Sequence, residues 1–473
     1  MPWALFYPSD YAIGSANLGY QYVFRRLREA GVAAERFFAA PIPYRSADAD
    51  TLLERFSVIT ASIAYEGGIP VFFRWLSEAG IPLSAKQRED GGFPVVGMGG
   101  ALSYINPLSL SGVCDFIILG DGLDVLNHVT ESLRAWERGL SREKLWNRLA
   151  ESPNVFVPPV DIVEGRVVRD LQIDRTLDLN GPYPVHSVWT SEKSAFGNTL
   201  LLELQRGCVR SCRYCTLPQC FGKTRLRDFS VIKNAVEDIT SRFDVQRAGL
   251  VTPEAGDYPQ LSPLLGLLDE KNVGVSFASL RVDRLNEEMI DALVRGGRRS
   301  VTVAPETGGE TLRASCGKKF SDDLIIEKLA MAKKAGIENV KLYFMIGLPG
   351  ESDEDVSGIT TLCRRIIDAT GQNLSLSVNP FIPKPGTPWQ NEKFAGKFTI
   401  REKYERIKRD MRTITKKTPL LRLTGIKEAE SEYALAWFGC EESRELAKNI
   451  ESAESRLPAF DRDRTAAELT RFR

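Results

Sequence analysis

Six short apolar runs, at residues 199–205, 248–252, 273–280, 300–304, 340–347 and 374–382, recur with helical patterns between them, and this rhythm leaves few folds open. Strands joined through helices run parallel, and six such units predict a partial (β/α)6 barrel, because a complete eight-stranded one takes about 250 residues. The helix starts are well marked. Ser352-Asp353-Glu354-Asp355 reads as a capping box after the fifth run, and Ser321-Asp322-Asp323 opens the helix before it.

A second alternation precedes the first. Apolar runs at 4–7, 57–63, 94–98 and 115–119, with helical patterns near 18–30 and 70–79, predict an α/β Rossmann-like domain over residues 1–130. Residues 131–198 read as a helical stretch and a connector punctuated by Pro158-Pro159 and Gly181-Pro182-Tyr183-Pro184, with no chemistry of its own. The barrel then covers 199–395, and 396–473 read as a helical C-terminal region. Each N-terminal strand ends in glycines: Gly14 and Gly19, Gly67 and Gly68, Gly99 and Gly100, Gly120 and Gly122. Such loops either make tight turns or line the ligand crevice of a doubly wound sheet.

Charge names no partner, since 62 basic residues balance 62 acidic ones in a chain of 473. No apolar run is long enough to cross a bilayer, and the first residues lack a secretory signal, so the expected location is cytoplasmic and no membrane partner is expected. Residues 397–427 carry eleven basic and three acidic residues. That segment reads as a solvated amphipathic helix paired to the acidic end of the chain, with RNA contact as the alternative.

Three of the eight cysteines crowd together as Cys208, Cys212 and Cys215, a C-x3-C-x2-C array directly after the first barrel strand. Three thiolates on one tight loop suit a soft metal. A closed zinc site needs a fourth ligand, for which Cys220 is the candidate, because His128 and His186 lie far away in sequence. An iron–sulfur cluster fits better, and three thiolates serving four irons leave one iron open for a substrate or cofactor.

The stretch Arg206-Gly-Cys208-Val-Arg-Ser-Cys212-Arg-Tyr214-Cys215 resembles the signature loop of the radical S-adenosylmethionine (SAM) superfamily. The resemblance implies a [4Fe–4S] cluster that binds SAM and cleaves it reductively to a 5′-deoxyadenosyl radical, with an electron donor such as flavodoxin or ferredoxin. It further implies SAM contacts at the strand ends: Tyr214, Glu254, Arg281, Glu306, Ile346 and Gly347. Where the family often carries Gly-Gly-Glu, this chain has Thr252-Pro253-Glu254.

A Rossmann-like domain ahead of such a barrel resembles the cobalamin-binding class of radical SAM enzymes. On that resemblance Gly14, Tyr65, Glu66, Gly99, Gly100 and Gly120 are the cobalamin contacts, although the usual Asp-x-His-x-x-Gly is missing. Ser62, Tyr65 and Glu66 would then stand under the cobalt. The implied activity is C-methylation of an unactivated carbon, on a peptide or protein side chain or a small metabolite. The alternatives are a radical SAM enzyme of non-methylating chemistry without cobalamin, and a non-catalytic RNA-binding iron–sulfur scaffold. Methylthiolation is disfavoured, because enzymes of that type resemble this barrel but hold a second cluster on three N-terminal cysteines, where this chain has only Cys114.

Overall fold

The computed structural model describes residues 1–278, 280–414, 419–454 and 456–472. The N-terminal sheet contains β1 (Pro2–Asp10), β2 (Ala33–Ala40), β3 (Val58–Ser62), β4 (Val95–Gly99), β5 (Phe116–Ile118) and β6 (Val155–Phe156) in the order β2-β1-β3-β4-β5-β6. All pairs are parallel except β5 with β6. Chain direction through the sheet reverses between β1 and β3, and at such a switch point a crevice opens beyond the strand ends.

Both faces of this sheet are covered, so its central strands are largely apolar; Trp3 to Tyr7 are all buried. On one face lie the helices Leu18–Glu29, Val125–Glu137 and Arg142–Leu149. On the other lies Gly68–Glu78, joined by C-terminal residues including Leu435, Phe438 and Leu446. The C-terminal region thus docks on the N-terminal sheet. Asn106 Nδ2 donates to the carbonyls of Ala436 and Phe438, both at 2.9 Å, and a Cβ on Gly112 would come within 2.4 Å of the Ser443 backbone.

β2 was not among the expected strands. Its sequence AAERFFAA has weak strand propensity, and it forms only because an open edge of β1 is available and because Arg36 pairs with Asp48 and stacks 4.2 Å over Trp189.

The barrel contains β7 (Leu200–Glu203), β8 (Arg247–Val251), β9 (Gly274–Phe277), β10 (Ser300–Glu306), β11 (Asn339–Ile346) and β12 (Asn373–Pro380), all parallel and in sequence order. Among the described residues a single bridge, Leu280 to Val303, joins the sheet β7-β8-β9 to the sheet from β10 onward. The anticipated capping box is present at Ser352 and Asp355. A seventh strand, β13 (Leu420–Leu423), pairs with β12 from within the otherwise helical tail. Four residues between Pro419 and Thr424-Gly425, with Arg422 among them, are too short a run for a strand signature; the free edge of β12 recruits them. At the opposite edge, residues 185–187 of the connector hydrogen-bond to Leu201 and Glu203.

Among the described residues the basic helix Gly396–Met411 forms no ion pair with the acidic end of the chain. Lys403 and Arg406 instead bond Glu351 and Asp353, where the neighbouring helix begins and an acidic first turn awaits a cation. Residues 415–418 of the basic segment lie outside the described residues.

Candidate functional site

The cluster loop leaves β7 through a two-residue ribbon, Gln205–Arg206 against Arg225–Leu226. Gly207 has φ +79° and approaches the Lys223 carbonyl and Thr224 Cα so closely that a Cβ would sit 3.1 Å from each. Beyond it Cys208, Cys212 and Cys215 stand half-exposed and unbridged. Burial pushes the Cys208 thiol up and the Cys215 thiol to about 11, so thiolate formation there requires a cation. Among the described residues no three His, Cys, Asp or Glu lie as close together as the ligands of a single ion. A polynuclear cluster, which gives each thiolate its own iron, suits three spaced thiols on one loop.

The loop is held from several sides. The Cys316 carbonyl accepts from Arg213 N, and the Arg213 carbonyl accepts from Trp389 N, both at 3.2 Å. Gly317, at φ +94°, leaves no room for a side chain against Cys212.

Around this loop the strand ends place the expected residues. Glu306 ends β10 with φ +70°, a left-handed backbone that costs a non-glycine residue on the order of 1–3 kcal/mol. Two buried cations hold that turn: Lys318 bonds the Glu306 carboxylate and the Ala304 carbonyl, while Arg313 bonds the Pro305 and Thr307 carbonyls. Tyr214 donates to Glu306 Oε1 at 2.6 Å, and burial together with that carboxylate keeps it a phenol. Neither Lys318 nor Arg313 carries a sequence signal, because Arg313 lies within the short helix Glu310–Ser315 after the strand and Lys318 beyond it.

Glu254 is buried and accepts from the backbone N–H of Gly256 (3.1 Å) and Arg281 (2.7 Å), which ties the ends of β8 and β9 together. Burial raises its carboxyl above the ordinary value, against those two hydrogen bonds. Arg281 grips Asp283 with two 3.0 Å bonds and brings Nη1 to 3.9 Å from Cys212 Sγ. Ile346 is fully buried; Gly347, at φ +76°, donates its N–H to Glu351. These side chains therefore gather around one barrel mouth, with Glu254 and Glu306 already bonded to their own chain.

The N-terminal candidates divide. Gly14, Gly100 and Gly120 are filled by the chain itself: a Cβ would meet Phe38 at 2.6 Å, the Ile63 carbonyl at 2.6 Å and the Asp174 carbonyl at 2.1 Å. At Gly99 the nearest atom is 3.7 Å away, which is ordinary contact. Tyr65 is half exposed beside the crevice, whereas Glu66 is buried on Lys384 of the barrel, 2.7 Å away, and Lys384 also bonds Glu432.

One residue joins the two domains at the site. Asp121, between Gly120 and Gly122 beyond β5, accepts from Arg206, Arg225 and Tyr104, each at 2.7 Å. Burial opposes its charge, but the two guanidiniums outweigh burial and hold its carboxyl below the usual range. Arg206 lies two residues before Cys208, so the N-terminal crevice and the cluster loop share one buried ion-pair hub.

Comparison with known proteins agrees with this geometry. Residues 202–363 match the model described as radical SAM superfamily, and residues 19–158 match the one described as radical SAM proteins, N-terminal. An uncharacterized protein of Methanocaldococcus jannaschii is 36% identical over 212 residues, 45% of this chain and 47% of that protein. The threonylcarbamoyladenosine tRNA methylthiotransferase MtaB of Bacillus subtilis is 26% identical over 40% of this chain and 43% of its own length. The match thus spans less than half of either relative. Among solved structures, the cobalamin-dependent SAM radical enzyme OxsB with aqua-cobalamin bound shares the fold at a TM-score of 0.57 and 15% identity, over 88% of this chain and 56% of that one. The radical SAM methyltransferase TsrM from Kitasatospora setae does so at 0.50 and 15%, over 82% and 76%. With its cluster loop at the mouth of a partial parallel barrel, the stretch at residues 202–363 is a radical SAM domain, the part of the chain that the superfamily model matches.

Proposed function

We propose that this protein is a cobalamin-dependent radical SAM methyltransferase. The observation that carries the reading is the Asp121 hub, which sets the crevice end of the N-terminal sheet against the loop bearing Cys208, Cys212 and Cys215. Cys208, Cys212 and Cys215 would hold a [4Fe–4S] cluster, which would supply the electron for SAM cleavage, and the N-terminal crevice would hold a cobalamin, which would supply methyl-transfer chemistry. The chain's own residues do the positioning. Arg281 places a cation near Cys212, Glu306 presents a carboxylate for the ribose hydroxyls, Gly347 offers backbone to the adenine while the Ile346 side chain, fully buried against the helices, does not, and Tyr65 and Gly99 border the space for the corrin.

The test is reconstitution of the purified protein with iron, sulfide and hydroxocobalamin. We expect cobalamin absorbance that survives gel filtration, deoxyadenosine formation from SAM, and loss of iron and of deoxyadenosine when Cys208, Cys212 and Cys215 are all replaced by Ala. Deoxyadenosine from the triple variant would overturn the cluster assignment; a protein that retains no cobalamin would overturn the methyltransferase reading.

A second reading, radical SAM chemistry without cobalamin, is favoured by one observation: Gly14, Gly100 and Gly120 are explained by close packing of the chain on itself. Methylthiolation has no support in the N-terminal domain, whose single cysteine, Cys114, is buried in the core.

A further inference from the structure

At the end of the barrel opposite the cluster loop, charge is left uncompensated. Arg247 begins β8 and Arg298 lies two residues before β10. Both are half-buried, and the Nε of each is shut off from solvent without a hydrogen-bond partner. Burial and the neighbouring Arg247 charge pull the Arg298 guanidinium below its ordinary value, with no carboxylate opposing them. Among the described residues neither arginine forms an ion pair.

Beside Arg298 lies a cavity of about 280 Å³, lined also by Thr199, Gly249, Ser276, Ser300 and Thr302. The polar lining residues on the strands belong to the inward rows, since alternate residues such as Ala248, Val275 and Val303 pack into the core shared with the helices; Phe196 and Phe277 add apolar wall to the cavity. Thr302 is in register with Lys341 on β11, whose ammonium sits 4.6 Å over the Tyr343 ring and has no acidic partner among the described residues. The inward-facing acids stand at the mouth and are already used: Glu203 by Arg206 and Arg227, Glu306 by Lys318 and Tyr214. The unbalanced charge of the lumen is therefore positive.

We propose that the barrel lumen binds a small anionic molecule, with its carboxylate or phosphate received by Arg247 and Arg298 at the floor and its remainder lying along Thr302 and Lys341 toward the cluster loop. This names a substrate class for the radical SAM reading and rests on that reading for the occupant being the substrate. The physical basis is that two like charges acting on one another, each with an Nε shut off from solvent and unbonded, are stabilised when an oxyanion accepts from them, and guanidinium geometry suits carboxylate and phosphate oxygens. The cavity volume admits a metabolite or one side chain.

The experiment titrates the purified full-length protein with inorganic phosphate and, separately, with acetate, at constant ionic strength set by chloride, following the thermal midpoint and the heat of binding. We expect the midpoint to rise with at least one oxyanion and not with chloride, and Arg298→Gln and Arg247→Gln each to weaken that binding by about tenfold or more. The larger response tells phosphate from carboxylate. Without oxyanion the variants should melt no lower than the wild type, because a repulsion has been removed. No response in the wild type, an equal response in both variants, or a lower melting point of the oxyanion-free variants would overturn the proposal. Deoxyadenosine formation by the reconstituted wild type, measured in parallel, tests the radical SAM reading separately, so its failure would leave the oxyanion result standing.

Discussion

At the mouth of the barrel Lys318 meets Glu306, Arg281 meets Asp283, Arg210 and Arg284 meet Asp257, and Lys403 meets Glu351, whereas at the floor the Arg247 charge bears on Arg298 and, among the described residues, neither has an acidic partner. The contrast separates two uses of charge. A paired, buried charge holds geometry in the absence of ligand, because removing either partner leaves the other desolvated and alone. An unpaired one is a cost that only an incoming group offsets.

The contrast breaks most visibly at Lys318. Lys318→Met should cost about 3–5 kcal/mol in denaturant unfolding, because it strands the Glu306 carboxylate in a buried turn. A loss under about 1 kcal/mol would mean that the mouth does not depend on its ion pairs.

Asp121→Asn comes next, at about 2–3 kcal/mol, since Arg206 and Arg225 keep an acceptor but lose its charge. The pH dependence has a definite sign. A carboxyl held below its unfolded value contributes stability above about pH 4 and loses it as pH falls through the folded value, so the difference between wild type and variant should be flat above pH ~4 and shrink below it. A difference that grows on acidification would show that the hub is not the reason for the shift.

Gly347→Ala should cost about 1–2 kcal/mol, because φ is +76° and the added Cβ would lie 2.7 Å from Ala395. The smallest effect is expected at the floor. Arg247→Gln should change stability by no more than about 0.5 kcal/mol, with any change upward; a clear loss in a melting curve would make that arginine structural and remove the contrast.

Much of the architecture is legible in short stretches of chain. The six barrel strands, the Ser352 capping box and the cysteine loop each depend on residues a few positions apart, where periodicity, cap chemistry and spacing act. β2 and β13 were not legible, because their partners rather than their own residues make them strands. The glycine loops show the limit most clearly: Gly99 and Gly100 are neighbours of identical type, yet one borders open contact and the other fits under the Ile63 backbone.

By itself the sequence determined the parallel α/β plan and the three thiols after β7, since both follow from local pattern and donor chemistry. Only the tertiary structure decided which charges are spent and which are free. Asp121 and Arg206 are 85 positions apart, and Glu66 and Lys384 come from different domains. A side chain's partner is chosen by proximity in space, and its electrostatic worth by the burial they share, neither of which local spacing encodes.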